Sequence, residues 1–179
     1  MPAISASSAK DLPERLKLTT LIAVHIDICR ATSIFREIND GIKTVLFLDG
    51  FYSLCHEHLE PSGGDVIKYM GDSCLVVFPE HEVTSAIEAV SRLRAAFPDY
   101  CLSRAVKPTD LRAGIHVDEC IIGEFGKNDQ RDVLGRGASL AIQMAEPGIT
   151  LSEQVYRKLP SGDRGPFKKQ GGKVRYHLN

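Results

Sequence analysis

An excess of charge of either sign is missing from this sequence. Its 22 lysines and arginines are matched by 23 aspartates and glutamates, a formal net charge of -1. The whole-chain electrostatic footprint that suits nucleic acid or an anionic membrane is therefore absent, and neither is an expected partner. Long apolar runs are missing too. The longest, Leu21–Val24 and Cys74–Phe78, fall far short of the roughly 20 residues of a spanning helix, so a soluble chain is expected. The opening stretch, MPAISASSAKDLPERLK, is polar where an export signal is apolar, which points to the cytoplasm. Five cysteines (Cys29, Cys55, Cys74, Cys101, Cys120) are an odd number without CxxC spacing. Reduced, mostly buried thiols are expected rather than a disulfide framework or a zinc site.

What is present fits one domain: 179 residues, 43% of them hydrophobic. Residues 1–17 offer little apolar surface and read as a flexible N-terminal arm, with the folded domain expected over 18–179. Thr19–Cys29 is β-branched and alternates Val24, Ile26, Ile28 against His25 and Asp27, the pattern of a strand. Thr32 to Leu59 carries apolar residues at helical spacing, broken at Asp40-Gly41 into two helices. Asp65–Met70 and Ser73–Phe78 flank Gly71-Asp72 as a hairpin with an acidic tip. Glu82 to Phe97 reads as a helix, Leu111–Val117 and Glu119–Phe125 as two strands around Asp118, and Arg131–Leu134 as a short strand. Gly137–Ala145 and Glu153–Leu159 read as helices on either side of a strand at Ile149–Leu151, and the tail KKQGGKVRYHLN as a hairpin. The order predicts an α+β sandwich, a mostly antiparallel sheet with packed helices.

Two carboxylates stand out. Asp27 lies inside an apolar strand, where an ionised group is costly unless it meets a cation or water. Asp72 sits at a hairpin tip. Each also has a purely structural reading, Asp27 as a cap for the next helix and Asp72 as a turn residue bonded to its own backbone. If the first strand lies beside the hairpin, the two carboxylates meet. A pair of hard oxygen donors, completed by a backbone carbonyl such as that of Ile28, suits Mg²⁺ or Mn²⁺, ions that usually meet substrate phosphates. The backbone N–H groups of Arg30, Ala31 and Thr32 lead into a helix start, where anionic oxygens are held.

The segments VHIDICRATSIF, SGGDVIKYMGDSCLVVF, LRAGIHVDECIIGEFG and RDVLGRGASLAIQM, with the lysine-rich tail, resemble class III nucleotide cyclases in order and spacing over roughly residues 18 to 178. That resemblance implies a ferredoxin-like cyclase sandwich. It places Asp27 and Asp72 at the two metal-binding positions, with Ile28 giving its carbonyl. Lys68 and Asp132 fall at the base-reading positions, and Lys168 or Lys169 where a phosphate-binding lysine is expected. It further implies two divalent ions, Mn²⁺ or Mg²⁺, about 3.5–4 Å apart, a nucleoside triphosphate substrate, and a homodimer with composite sites.

The sequence departs from the family downstream of Asp132. An Asn that orients the ribose and an Arg that stabilises the transition state are replaced by Ser139 and Gln143, a loss typically of about 10²–10³ in rate. Either other cations substitute, Arg30, Arg136 and the tail lysines among them, or the domain binds nucleotide without turnover. Retained activity is the preferred reading, with Arg136 in a catalytic role. Lys68 only donates and an ionised Asp132 only accepts, which suits uracil and adenine alike. A general resemblance to the short pyrimidine cyclases of bacterial anti-phage Pycsar systems implies UTP as substrate and a downstream cyclic-nucleotide effector, with an adenylate cyclase as the alternative.

Overall fold

β1 (Leu16–Ile28) is the spine of the sheet. In the computed structural model, which describes residues 14–170 and 175–178, it pairs antiparallel with β3 (Ser73–Pro79) along one edge and with β4 (Leu111–Phe125) along the other. β2 (Asp65–Tyr69) flanks β3. Beyond β4 come β6 (Glu146–Ser152), which runs parallel to it, then β8 (Arg175–Leu178) and β7 (Lys168–Lys169). The order is β2-β3-β1-β4-β6-β8-β7, and β5 (Gln130–Leu134) hangs off this path on the C-terminal half of β4. The α+β expectation holds.

Alternation in β1 divides the two faces. Ile22, Val24, Ile26 and Ile28 join Val76, Phe78, Ile115 and Ile149 in the main core. Helices α1 (Ala31–Ile38), α2 (Gly41–Leu59) and α3 (Val83–Ser103) contribute to it with Ile34, Phe47, Phe51, Leu93 and Phe97, and the short α5 (Glu153–Lys158) adds Val155. The break between α1 and α2 is a cap: the Asp40 side chain accepts from the Lys43 amide at 3.0 Å. Among the described residues no helix is long and apolar enough to cross a membrane.

The opposite face carries His25, Asp27 and Arg112, and α4 (Arg136–Met144) lies directly on it. Contact there is main chain on main chain, since a Cβ added to Gly114 would stand 2.1 Å from the Ala141 carbonyl oxygen. A second, smaller cluster of Leu21, Val77, Cys120 and Val133, with Ile67 and Ile122 against it, fills the space between β5 and the β2–β3 hairpin.

Several boundaries differ from the sequence reading, among them the start of β6 at Glu146 rather than Ile149. β1 starts at Leu16, paired with Gly123, ahead of the strand start expected at Thr19 and the domain start expected at Leu18; of the expected arm, residues 1–13 lie outside the described residues. β4 is one strand rather than two, because Asp118 remains in it with its carboxylate paired to Arg136. α3 continues through Pro98 to Ser103, its buried Phe97 and Cys101 offsetting the lost hydrogen bond.

Candidate active site

The two carboxylates singled out in the sequence meet at the end of β1. Register places Asp27 opposite Ser73, and the Ile28 amide donates to the Asp72 carbonyl at 3.1 Å. The hairpin tip is held from α2 as well, by the Tyr52 hydroxyl donating to the Gly71 carbonyl at 2.7 Å. Asp27 is 8% exposed. Its Oδ2 accepts from Arg112 Nε at 2.5 Å, while its Oδ1 is buried with no hydrogen-bond partner. Burial pushes the Asp27 carboxyl above the usual range; the Arg112 hydrogen bond opposes this and the Asp72 charge adds to it. His25, two residues earlier on the same face, is buried with Nδ1 unpartnered and is pushed down to about 4 by burial, then by Arg112, against Asp72.

This donor set fits a hard divalent cation. Two adjacent carboxylates, one of them buried with an orphaned oxygen, are relieved by a cation that takes both. Among the described residues no three His, Cys, Asp or Glu side chains converge, so remaining ligands must be backbone carbonyls, water or substrate oxygens. Beside the pair, Arg30 takes a left-handed conformation (φ 62°) ahead of α1. Ser33 and Ile34 both donate back to the Arg30 carbonyl, which leaves the amides of Ala31 and Thr32 ahead of the helical bonding.

Lys68 and Asp132 are brought together elsewhere on the same face. Register shifts between Val66 and Lys68, an extra residue at Ile67 that forms a β-bulge. Val66 and Tyr69 pack towards the helices, Tyr69 stacked on Tyr52 at 3.9 Å between ring centroids. The bulge turns Lys68 to the other side, opposite Leu75, where its Nζ donates to Asp132 Oδ2 at 2.7 Å. Asp132 Oδ1 accepts from the Val133 amide at 2.7 Å, which fixes the carboxylate.

Along α4, Arg136, Ser139 and Gln143 follow at i, i+3 and i+7 and share its exposed face. The Ser139 hydroxyl turns back to the Gly135 carbonyl at 3.2 Å. Arg136 Nε donates to Asp118 Oδ2 at 2.8 Å, and that carboxylate also lies 3.5 Å from buried His116 Nε2. Lys168 and Lys169 are exposed on β7, four strands from β1, roughly 19 Å at normal strand spacing.

Residues 18–175 match the family described as the adenylate and guanylate cyclase catalytic domain. The chain belongs to this family. Among solved structures, the cyclase domain is similar to the adenylyl cyclase CyaB from P. aeruginosa, with a TM-score of 0.76 at 19% identity over 92% of this chain and 95% of that one. The guanylyl cyclase Cya2 gives 0.75 at 15% identity, over 90% and 92%. The guanylate cyclase domain of RhGC from Catenaria anguillulae in complex with GTP gives 0.73 at 15%, over 89% and 94%. At such identities the likeness shows the fold. Compared by sequence with curated proteins, the chain matches none.

One residue of the cyclase domain's carboxylate site escaped the sequence reading. Arg112 faces Asp27 across β1–β4, and it carries the same signal as Asp27, a charged side chain inside an apolar strand.

Proposed function

We propose that this cyclase-family domain converts a nucleoside triphosphate, UTP by preference, to a 3′,5′-cyclic nucleotide and pyrophosphate, working as a homodimer with composite sites. The observation that carries the reading is the buried, unpartnered Asp27 Oδ1 beside Asp72. Asp27 and Asp72, with the Ile28 carbonyl, would hold divalent ions, Mn²⁺ or Mg²⁺, which supply charge neutralisation and a more acidic ribose hydroxyl. In the reaction the 3′-oxygen bonds to the α-phosphorus, the bond to the bridging oxygen breaks, pyrophosphate leaves and the hydroxyl proton passes to solvent.

The chain's own groups handle the rest. Arg112, freed when Asp27 binds cations, turns its guanidinium to the triphosphate, and the amides of Arg30, Ala31 and Thr32 meet phosphate oxygens. Lys68 donates to uracil O4 while Asp132 accepts from N3–H. Cytosine presents a bare N3 to Asp132, leaving an acceptor unpaired at about 1–3 kcal/mol. Adenine satisfies the same pair with the contacts exchanged, so an adenylate cyclase is the competing assignment. Arg136 supplies the cation that Gln143 lacks. The distance of Lys168 and Lys169 from Asp27 within one chain supports their serving the partner's site. In line with the resemblance to pyrimidine cyclases, the product acts as a cytoplasmic second messenger for an effector in anti-phage defence.

A second reading, nucleotide binding without turnover, is favoured by the Ser139 hydroxyl bonding back to its own helix and by the neutral Gln143. Incubation with the four NTPs at equal concentration and Mn²⁺, with products resolved by chromatography, separates the possibilities. Cyclic UMP should dominate. Dominant cyclic AMP overturns the base assignment alone, and calorimetric binding without any cyclic product overturns turnover in favour of the second reading.

A further inference from the structure

We infer that the Asp65–Arg131 ion pair is a positioning element for base recognition: it holds β5 against β2 and thereby sets the spacing of Lys68 and Asp132. The inference deepens the proposed function and rests on Lys68 and Asp132 being the base-reading pair.

β2 and β5 share no ladder. β2 bonds to β3 and β5 to β4, and three strands, β3, β1 and β4, lie between them in the sheet. They meet because β5 closes over the small cluster that contains Val133 and Ile67. With no main-chain bonds across this seam, side chains alone fix its width. Two ion pairs cross it, Lys68–Asp132 at 2.7 Å and Arg131–Asp65, in which Nη1 donates to Oδ1 at 2.8 Å and Nη2 to Oδ2.

The two pairs differ once a base arrives. Lys68 and Asp132 must share their hydrogen bonds with it, which loosens their own contact. Arg131 and Asp65 have no such demand, and two nitrogens set against two oxygens fix orientation as well as distance. The Arg131 hydrogen bond holds the Asp65 carboxyl below its usual range. Both side chains are about half exposed (51% and 45%), and a pair this open adds little to global stability. Its effect is local, on where Asp132 stands relative to Lys68.

The test compares Asp65→Asn, Arg131→Gln and the charge-exchanged double variant Asp65→Arg/Arg131→Asp with the unmodified protein. Hydrogen exchange over residues 130–134 should quicken about two- to fivefold in each single variant, the range an exposed ion pair allows, and return in the double variant at unchanged Tm. In parallel, KM should rise more than kcat falls, and the kcat/KM ratio between best and second-best NTP should shrink by a similar factor, then recover. Unchanged exchange in β5, or discrimination that the single variants leave intact, overturns the inference. If the protein binds nucleotide without turnover, the ratio of dissociation constants replaces the kinetic ratio. The exchange measurement needs no nucleotide, so loss of the activity reading and loss of this inference remain separate outcomes.

Discussion

The Ile28 amide reaches the Asp72 carbonyl at 3.1 Å, and that bond ties the end of β1 to a hairpin tip more than forty residues downstream. It is the reason Asp27 and Asp72 cannot drift apart to relieve their repulsion. The strain of two carboxylates in one place is thus built into the main chain, and a cation relieves it.

Mn²⁺ should therefore stabilise the protein. At one hundred times its dissociation constant the gain is about 2.7 kcal/mol, or roughly 5–10 °C in Tm for a chain of this size. Asp27→Asn and Asp72→Asn should each abolish the shift together with cyclic product. A shift that survives both substitutions, read by thermal denaturation, would place the cation elsewhere.

Complementation tests the composite site. Asp27→Ala and Asp132→Ala proteins should each be inactive alone. Mixed in equal amounts and allowed to exchange subunits, half the dimers are mixed and each has one intact site of two. Activity of about a quarter of the unmodified level is expected. No recovery in a mixture shown to exchange would put the whole site within one chain.

Arg136→Gln should lower kcat about 10²-fold with KM little changed, as for loss of a transition-state charge partner. Asp118→Asn only frees the Arg136 guanidinium and should stay within a few-fold of the unmodified kcat. Full kcat in Arg136→Gln, measured by single-turnover assay, removes Arg136 from the chemistry.

Acid should weaken the fold between pH 6.5 and about 4. His25 titrates near 6.5 when unfolded and is pushed down to about 4 in the fold. The unfolded chain therefore takes up the proton first, and stability present above pH 6.5 is lost as the pH falls, by about 3 kcal/mol in all. His116, also lowered by burial, acts in the same direction. Asp27, with its raised carboxyl, opposes them, since its burden grows as the pH rises through its folded value. Asp65, Asp110 and Asp118 are lowered and give up their contributions only below the ordinary carboxylate range of 3.8. Urea midpoints across this window should fall, and His25→Asn should flatten the fall; an unchanged slope would exclude His25 as its source.

Much of this was legible in the sequence because periodicity and turn chemistry agree. β1 alternates, Asp40-Gly41 caps and breaks, and Gly71-Asp72 turns. The meeting of Asp27 with Asp72 was legible only conditionally, since strand adjacency is a long-range fact. Asp118 read as a strand break because nothing local reveals that Arg136, eighteen residues on, neutralises it within β4. Pro98 likewise marks an end by local rules, and α3 overrides it through the core contacts of Phe97 and Cys101. Arg112 was hidden by its distance from Asp27 along the chain, eighty-five residues, although register sets them face to face.

The odd residue at Ile67 makes recognition a matter of counting. Between Val66 and Tyr69, which both face the helices, the strand holds two residues where regular alternation has room for one or three. Remove Ile67 and Lys68 takes its place at the small cluster beside β5, an ammonium set among Val77, Val133 and Ile122. Insert another residue and regular alternation returns, with one of the three intervening side chains turned towards the helices beside Tyr69. The hairpin's chemistry depends on the parity of a five-residue strand, and a change in length there alters what the face can bind before any side chain is exchanged.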